Sequence, residues 1–148
     1  MSEILVIDAS VAIKWFVIEP LSERADALLA RLAETPAITL YAPDLLYAEC
    51  ANILWKYVWR YGYSPEDACA DLLDLTGLAI QSVPTANLVN EALPIAVTHH
   101  VSAYDACYAA LARLLDAPPV TADEALARKI PADLVRLQWL GEMEPGFI

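Results

Sequence analysis

Four acidic residues stand where a chain of alternating strands and helices would gather a ligand. Asp8 directly follows the apolar run Ile4–Ile7, and Asp123 follows the short run Val120-Thr121. In open parallel sheets ligands collect beyond the carboxyl ends of the strands. Glu49 lies within a helical stretch in which Leu46, Cys50, Ile53 and Tyr57 form a core stripe. Glu49, Asn52 and Lys56 form a polar line about 100° to its side. Asp105 falls in the first turn of the nearly charge-free segment Ser102–Ala110.

Taken singly, each acid has a plainer reading. Asp8, Asp105 and Asp123 sit at helix starts, where a carboxylate caps backbone N–H groups. Glu49 has no cap to make and could simply face solvent. Taken together they point further. Four converging carboxylates repel and raise one another's pKa values unless a divalent cation neutralises them. An oxygen-rich set without thiolates suits Mg²⁺ or Mn²⁺. Ions held this way activate a water and stabilise charge on phosphate oxygens, which is the chemistry of phosphodiester hydrolysis.

No rival machinery competes. The chain carries no G-x-S-x-G, Walker A or G-x-G-x-x-G pattern. His99 and His100 are adjacent, so they point to different sides of a helix end rather than working as paired acid and base. Cys50, Cys69 and Cys107 lie among alanines and leucines with no CxxC spacing, and read as reduced core residues. Lys14, Lys56, Arg60, Arg113, Arg128 and Lys129 are the cations available for phosphate contacts. Trp55, Tyr57, Trp59, Tyr61 and Tyr63 interleave with two of them, a pattern that suits a protein interface better than base stacking.

The elements that must position the acids follow from the hydrophobic pattern. Strands are expected at Ile4–Ile7, Ile38–Tyr41, Leu78–Val83, Val120-Thr121 and Leu134–Leu137, with helices between them. Pro43–Tyr61 reads as one helix opened by its proline, and Pro94 should kink or restart the helix over Thr85–Thr98. This alternation predicts an α/β fold with a central parallel sheet of about five short strands and helices on both faces. At 148 residues and 58% hydrophobic content the expectation is one domain over residues 1–148. Charges and prolines interrupt every apolar run, so neither a membrane span nor a signal peptide is expected, and the chain reads as cytoplasmic. The net charge of −11 is the wrong sign for a simple electrostatic nucleic-acid binder, so such chemistry needs a metal or a basic patch.

The segments around the acids carry a resemblance. Val6–Phe16, Ala42–Asn52, Ser102–Ala112 and Val120–Glu124 together resemble, in order, a PIN-domain ribonuclease of the VapC-type toxin class from VapBC toxin–antitoxin pairs. The likeness covers about residues 4–138 and leaves Gly141–Ile148 unmatched. It implies a metal-dependent endoribonuclease with Asp8, Glu49, Asp105 and Asp123 around one or two Mg²⁺ or Mn²⁺ ions. It further implies small hydroxyls from Ser10 and Thr121 near the site, and the amide of Asn52 beside the glutamate. Similar proteins form homodimers, and heterotetramers or larger assemblies with an antitoxin whose basic C-terminal arm covers the acidic groove. A chain of net charge −11 suits such an arm. The alternatives are a PIN nuclease for RNA processing or flap cleavage without an antitoxin, a phosphotransfer enzyme with Asp8 as nucleophile, and a catalytically silent partner-binding module. The phosphotransfer reading is weakened by Ser10, which stands where a second Asp is usual.

Overall fold

A computed structural model describes residues 3–34 and 38–143. Five strands form one sheet: β1 (Glu3–Ile7), β2 (Ile38–Pro43), β3 (Ile80–Val83), β4 (Pro119–Thr121) and β5 (Gln138–Trp139). Their order is β3-β2-β1-β4-β5 and every pairing is parallel. Leu5, Val6 and Ile7 are all 0% exposed. Successive strand residues point to opposite faces, so β1 is covered on both. The α/β architecture expected from the sequence is therefore present.

The covering helices are α1 (Ala9–Ala12), α2 (Ser22–Ala30), α3 (Leu45–Tyr61), α4 (Pro65–Gly77), α5 (Val89–His99), α6 (Ala103–Leu115) and α7 (Glu124–Lys129). In α6 the residues Ala106 to Ala112 are buried without interruption. A helix apolar all round belongs inside the molecule, and α6 lies between α5 and strands β1 and β2. Ser64 caps α4 by accepting from Asp67 N at 3.1 Å, with Pro65 in the first turn. Gly62 ends α3 at φ 67°, a conformation only glycine enters without strain.

Several local expectations fail for physical reasons. Pro43 closes β2 rather than opening α3, and Asp44 makes the junction. Its carboxylate accepts from Thr85 N at 2.9 Å and Thr85 Oγ1 at 2.5 Å, which ties the start of α3 to the end of β3. Pro94 does not restart the helix but lies inside α5, on its exposed side, where water can serve the carbonyl that the ring leaves unpaired. The last strand is Gln138–Trp139, not Leu134–Leu137. That earlier apolar stretch begins in a turn on Pro131, whose carbonyl accepts from Leu134 N and Val135 N, and its side chains pack on the core. The buried stripe of α3 runs through Leu46, Cys50 and Leu54, with Ile53 and Tyr57 half-buried beside it. Cys69 is exposed, while Cys50 and Cys107 are buried as expected.

Chain order sets the location of a cleft. From β1 the chain steps outward through β2 and β3, then returns to place β4 on the other side of β1. That reversal opens a crevice at the carboxyl ends of β1 and β4, the position where open sheets bind ligands.

Candidate active site

Asp8 is the first residue beyond β1 and caps α1. Its Oδ1 accepts from Val11 N at 3.2 Å and from Ser10 Oγ at 2.5 Å. Ser10 Oγ also accepts from Ala122 N at 2.9 Å and lies 3.3 Å from Thr121 Oγ1. Thr121 Oγ1 in turn accepts from Asp123 N at 3.1 Å. This run of hydroxyls stitches the end of β4 to the start of α1. Asp123 then caps α7, its Oδ1 accepting from Leu126 N at 3.1 Å. Asp8 and Asp123 thus each cap a helix, as the plainer reading has it, and each stands just beyond the carboxyl end of a strand.

Glu49 and Asp105 arrive from the two long helices. Glu49 is half-buried on α3, and its Oε1 accepts from Tyr108 Oη of α6 at 2.6 Å. Asp105 sits one turn before Tyr108. Its backbone N–H donates to Ser102 Oγ at 3.0 Å, so Ser102 caps α6 and the Asp105 carboxylate is not needed for that bond. All four acids line one pocket of about 170 Å³, together with Ala9, Ser10, Ile53, Tyr108 and Leu126.

The electrostatics are those of crowded like charge in a dry place. Burial pushes Asp8 up to about 6, opposed by hydrogen bonds from Ser10, Thr121 and Val11, with Asp105 adding repulsion. Glu49 is raised by burial, held down in part by the Tyr108 hydroxyl, and raised again by Asp105 and Asp8. Burial also lifts Asp105, with Asp123 adding to it; the Ser102 hydroxyl and Lys129 oppose the rise. No lysine or arginine lines the pocket. Lys14 pairs with Glu19 at 2.9 Å, Arg128 with Glu124 at 2.5 Å, and Lys129 donates to the His100 carbonyl. Among the described residues no three His, Cys, Asp or Glu side chains are grouped to hold a metal ion as they stand. The four acids line one pocket and do not form a closed cage.

Two residues change places with respect to the sequence reading. Asn52 is exposed and does not line the pocket; Ile53 does, because α3 docks through Leu46, Cys50 and Leu54. Tyr108, outside the candidate residues, is the direct partner of Glu49. The available signal was its spacing of three from Asp105, which puts both on one side of a helix. His99 ends α5 and His100 follows it at φ 57°, and neither lines the pocket.

Comparison with known proteins places this geometry in context. The sequence pattern of the PIN domain family matches residues 5–130. Ribonuclease VapC3 of Pyrobaculum aerophilum is 35% identical over 133 residues, which cover 86% of this chain and 95% of that protein. Among solved structures, Mycobacterium tuberculosis VapC20, described as a sarcin-ricin loop cleaving toxin, superposes with a TM-score of 0.66 at 17% identity, over 90% of this chain and 98% of that one. VapBC2 of Rickettsia felis, solved bound to a DNA fragment from its promoter, gives a TM-score of 0.62 at 15% identity, over 92% and 96%. The two structural likenesses speak for the fold.

Proposed function

Since the chain belongs to the PIN-domain family, in its VapC-type branch, we propose that it is an endoribonuclease that uses Mg²⁺ or Mn²⁺ at Asp8, Glu49, Asp105 and Asp123. The observation that carries this reading is the convergence of four carboxylates from four separate elements on one pocket with no lining cation. Such a cluster is stable as a fully ionised set only when an outside positive charge enters it. The donors fit that role: all four are carboxylates, the oxygen chemistry that Mg²⁺ and Mn²⁺ accept, and no thiolate or imidazole intrudes. A bound ion supplies the positive charge that lowers the pKa of a water and steadies charge on phosphate oxygens.

The chain's own residues do the positioning. Ser10 and the Val11 N–H fix Asp8 Oδ1, and Thr121 holds Ser10 in turn through the 3.3 Å hydroxyl contact. The Leu126 N–H fixes Asp123 Oδ1. Rigid anchoring of this kind lets a site meet its ligand without reorganising. Asp105 stands at the start of a buried helix whose cap is supplied by Ser102, so its carboxylate remains available to the pocket.

The partners follow from charge. The acidic pocket and the net charge of −11 favour a silencing antitoxin with a basic C-terminal arm, in a toxin–antitoxin assembly built on a homodimer of this chain. We take residues 1–148 as a single nuclease domain acting on RNA in the cytoplasm. No helix among the described residues is long and apolar enough to cross a membrane. The test is incubation of the purified, partner-free chain with a mixed cellular RNA pool, with Mn²⁺ and with a chelator. Discrete fragments that disappear on chelation, and with Asp8→Asn, are expected. Cleavage that survives chelation overturns the metal-dependent reading.

A further inference from the structure

The hydrogen bond between Tyr108 and Glu49 has no part in folding any single element. It joins α6 to α3 across 59 residues of sequence at 2.6 Å. Tyr108 as a residue is 4% exposed, so little of it reaches water. A buried hydroxyl is costly when unpaired, which keeps this bond made. A phenol ionises near pH 10, so at neutral pH the hydroxyl donates and the Glu49 carboxylate accepts. Among the described residues this is the one hydrogen bond to the Glu49 side chain, and it falls on Oε1, with none on Oε2.

We propose that Tyr108 is a positioning residue which holds Glu49 by Oε1 so that Glu49 offers a divalent cation one oxygen, Oε2. The inference rests on the proposed metal site. A carboxylate held at one oxygen by a hydroxyl has its other oxygen open to a small octahedral ion, whereas the two-oxygen grip that Ca²⁺ takes up readily would make Oε1 share its second lone pair between the ion and Tyr108. Tyr108 thereby favours Mg²⁺ or Mn²⁺ over Ca²⁺ without touching the ion. Outer partners that orient a metal ligand act in this manner generally.

The experiment measures Mn²⁺ binding by the electron paramagnetic resonance signal of the free ion. It uses the full chain, Tyr108→Phe, Glu49→Gln and the double variant, each checked for fold by circular dichroism. Tyr108→Phe is expected to weaken Mn²⁺ binding roughly 10–100-fold, to narrow the preference for Mn²⁺ over Ca²⁺, and to add nothing once Glu49 is Gln. Unchanged Mn²⁺ binding in Tyr108→Phe overturns the proposal, as does an equal loss in the Glu49→Gln background, which marks a purely structural effect. If Glu49→Gln loses Mn²⁺ and Tyr108→Phe does not, the positioning role alone fails. If the unaltered chain binds no Mn²⁺, the metal site fails and the positioning role with it. A wild-type chain that binds Ca²⁺ as tightly as Mn²⁺ refutes the single-oxygen arrangement independently of any variant.

Discussion

Asp8 should lower the stability of the metal-free protein at neutral pH, and replacing it with Asn should raise that stability. Asp8 is 7% exposed, and burial pushes its carboxyl pKa up to about 6 against an ordinary 3.8. Each pK unit corresponds to about 1.4 kcal/mol, so ionising Asp8 in the folded chain is disfavoured by on the order of 3 kcal/mol. A raised folded-state pKa means that the native chain holds the proton more tightly than the unfolded one. The associated stability is full below pH 3.8 and is lost as pH rises through about 6. Asn keeps an oxygen to accept from Ser10 and Val11 while removing the charge. Urea unfolding in chelator should therefore show Asp8→Asn more stable than the parent by up to about 3 kcal/mol at pH 7.5, with the gap closing toward pH 4. Added Mn²⁺ should reverse the order, because only the parent gains binding energy. A variant no more stable than the parent at pH 7.5, or a difference independent of pH, would refute the reasoning.

Other substitutions have separate readouts. Asp105→Asn should abolish RNA cleavage while leaving the far-UV spectrum unchanged and the metal-free melting temperature no lower than the parent's, because Ser102 rather than the Asp105 side chain caps α6 and burial disfavours the charged carboxylate. Ser102→Ala should lower stability by about 1 kcal/mol in denaturant titrations through loss of that cap. Pro94→Ala should raise stability by about 2 kcal/mol, since a helix-interior proline forfeits one backbone bond and the site is exposed. Arg24→Ala removes the guanidinium that donates to the carbonyls of Leu140, Gly141 and Met143 at 3.2, 2.6 and 3.0 Å. Hydrogen exchange over residues 138–143 should then accelerate well before the core strands exchange.

Much of this arrangement is legible in the sequence because it rests on local signals. An aspartate immediately after Ile4–Ile7 announces a strand end, and a glutamate amid leucines with no cap to make announces something other than a helix start. The order of strands and helices suffices for a parallel sheet, and the switch beside β1 then places Asp8 and Asp123 together. What escaped is set by tertiary contact. Helical arithmetic puts Glu49 and Asn52 on one line, but which side of α3 meets the cleft depends on how Leu46, Cys50 and Leu54 dock, and Ile53 takes the place assigned to Asn52. A tyrosine among alanines reads as core, and nothing local reveals that its hydroxyl reaches a carboxylate 59 residues away. Pro43 suits a helix start as well as a strand end, and the Asp44–Thr85 bonds decide between them. The two-residue β5 carries too little pattern to be distinguished from the apolar turn before it. The sequence assigns Gly141–Ile148 no role, and residues 144–148 lie outside the described residues.

The most direct test of the account is the anomalous scattering of manganese in crystals of the chain grown or soaked with Mn²⁺. The account predicts an anomalous peak in the pocket lined by Asp8, Glu49, Asp105 and Asp123 that is absent from crystals of Asp8→Asn. Manganese bound only elsewhere on the acidic surface, or a pocket left empty at Mn²⁺ concentrations that support RNA cleavage, would contradict it.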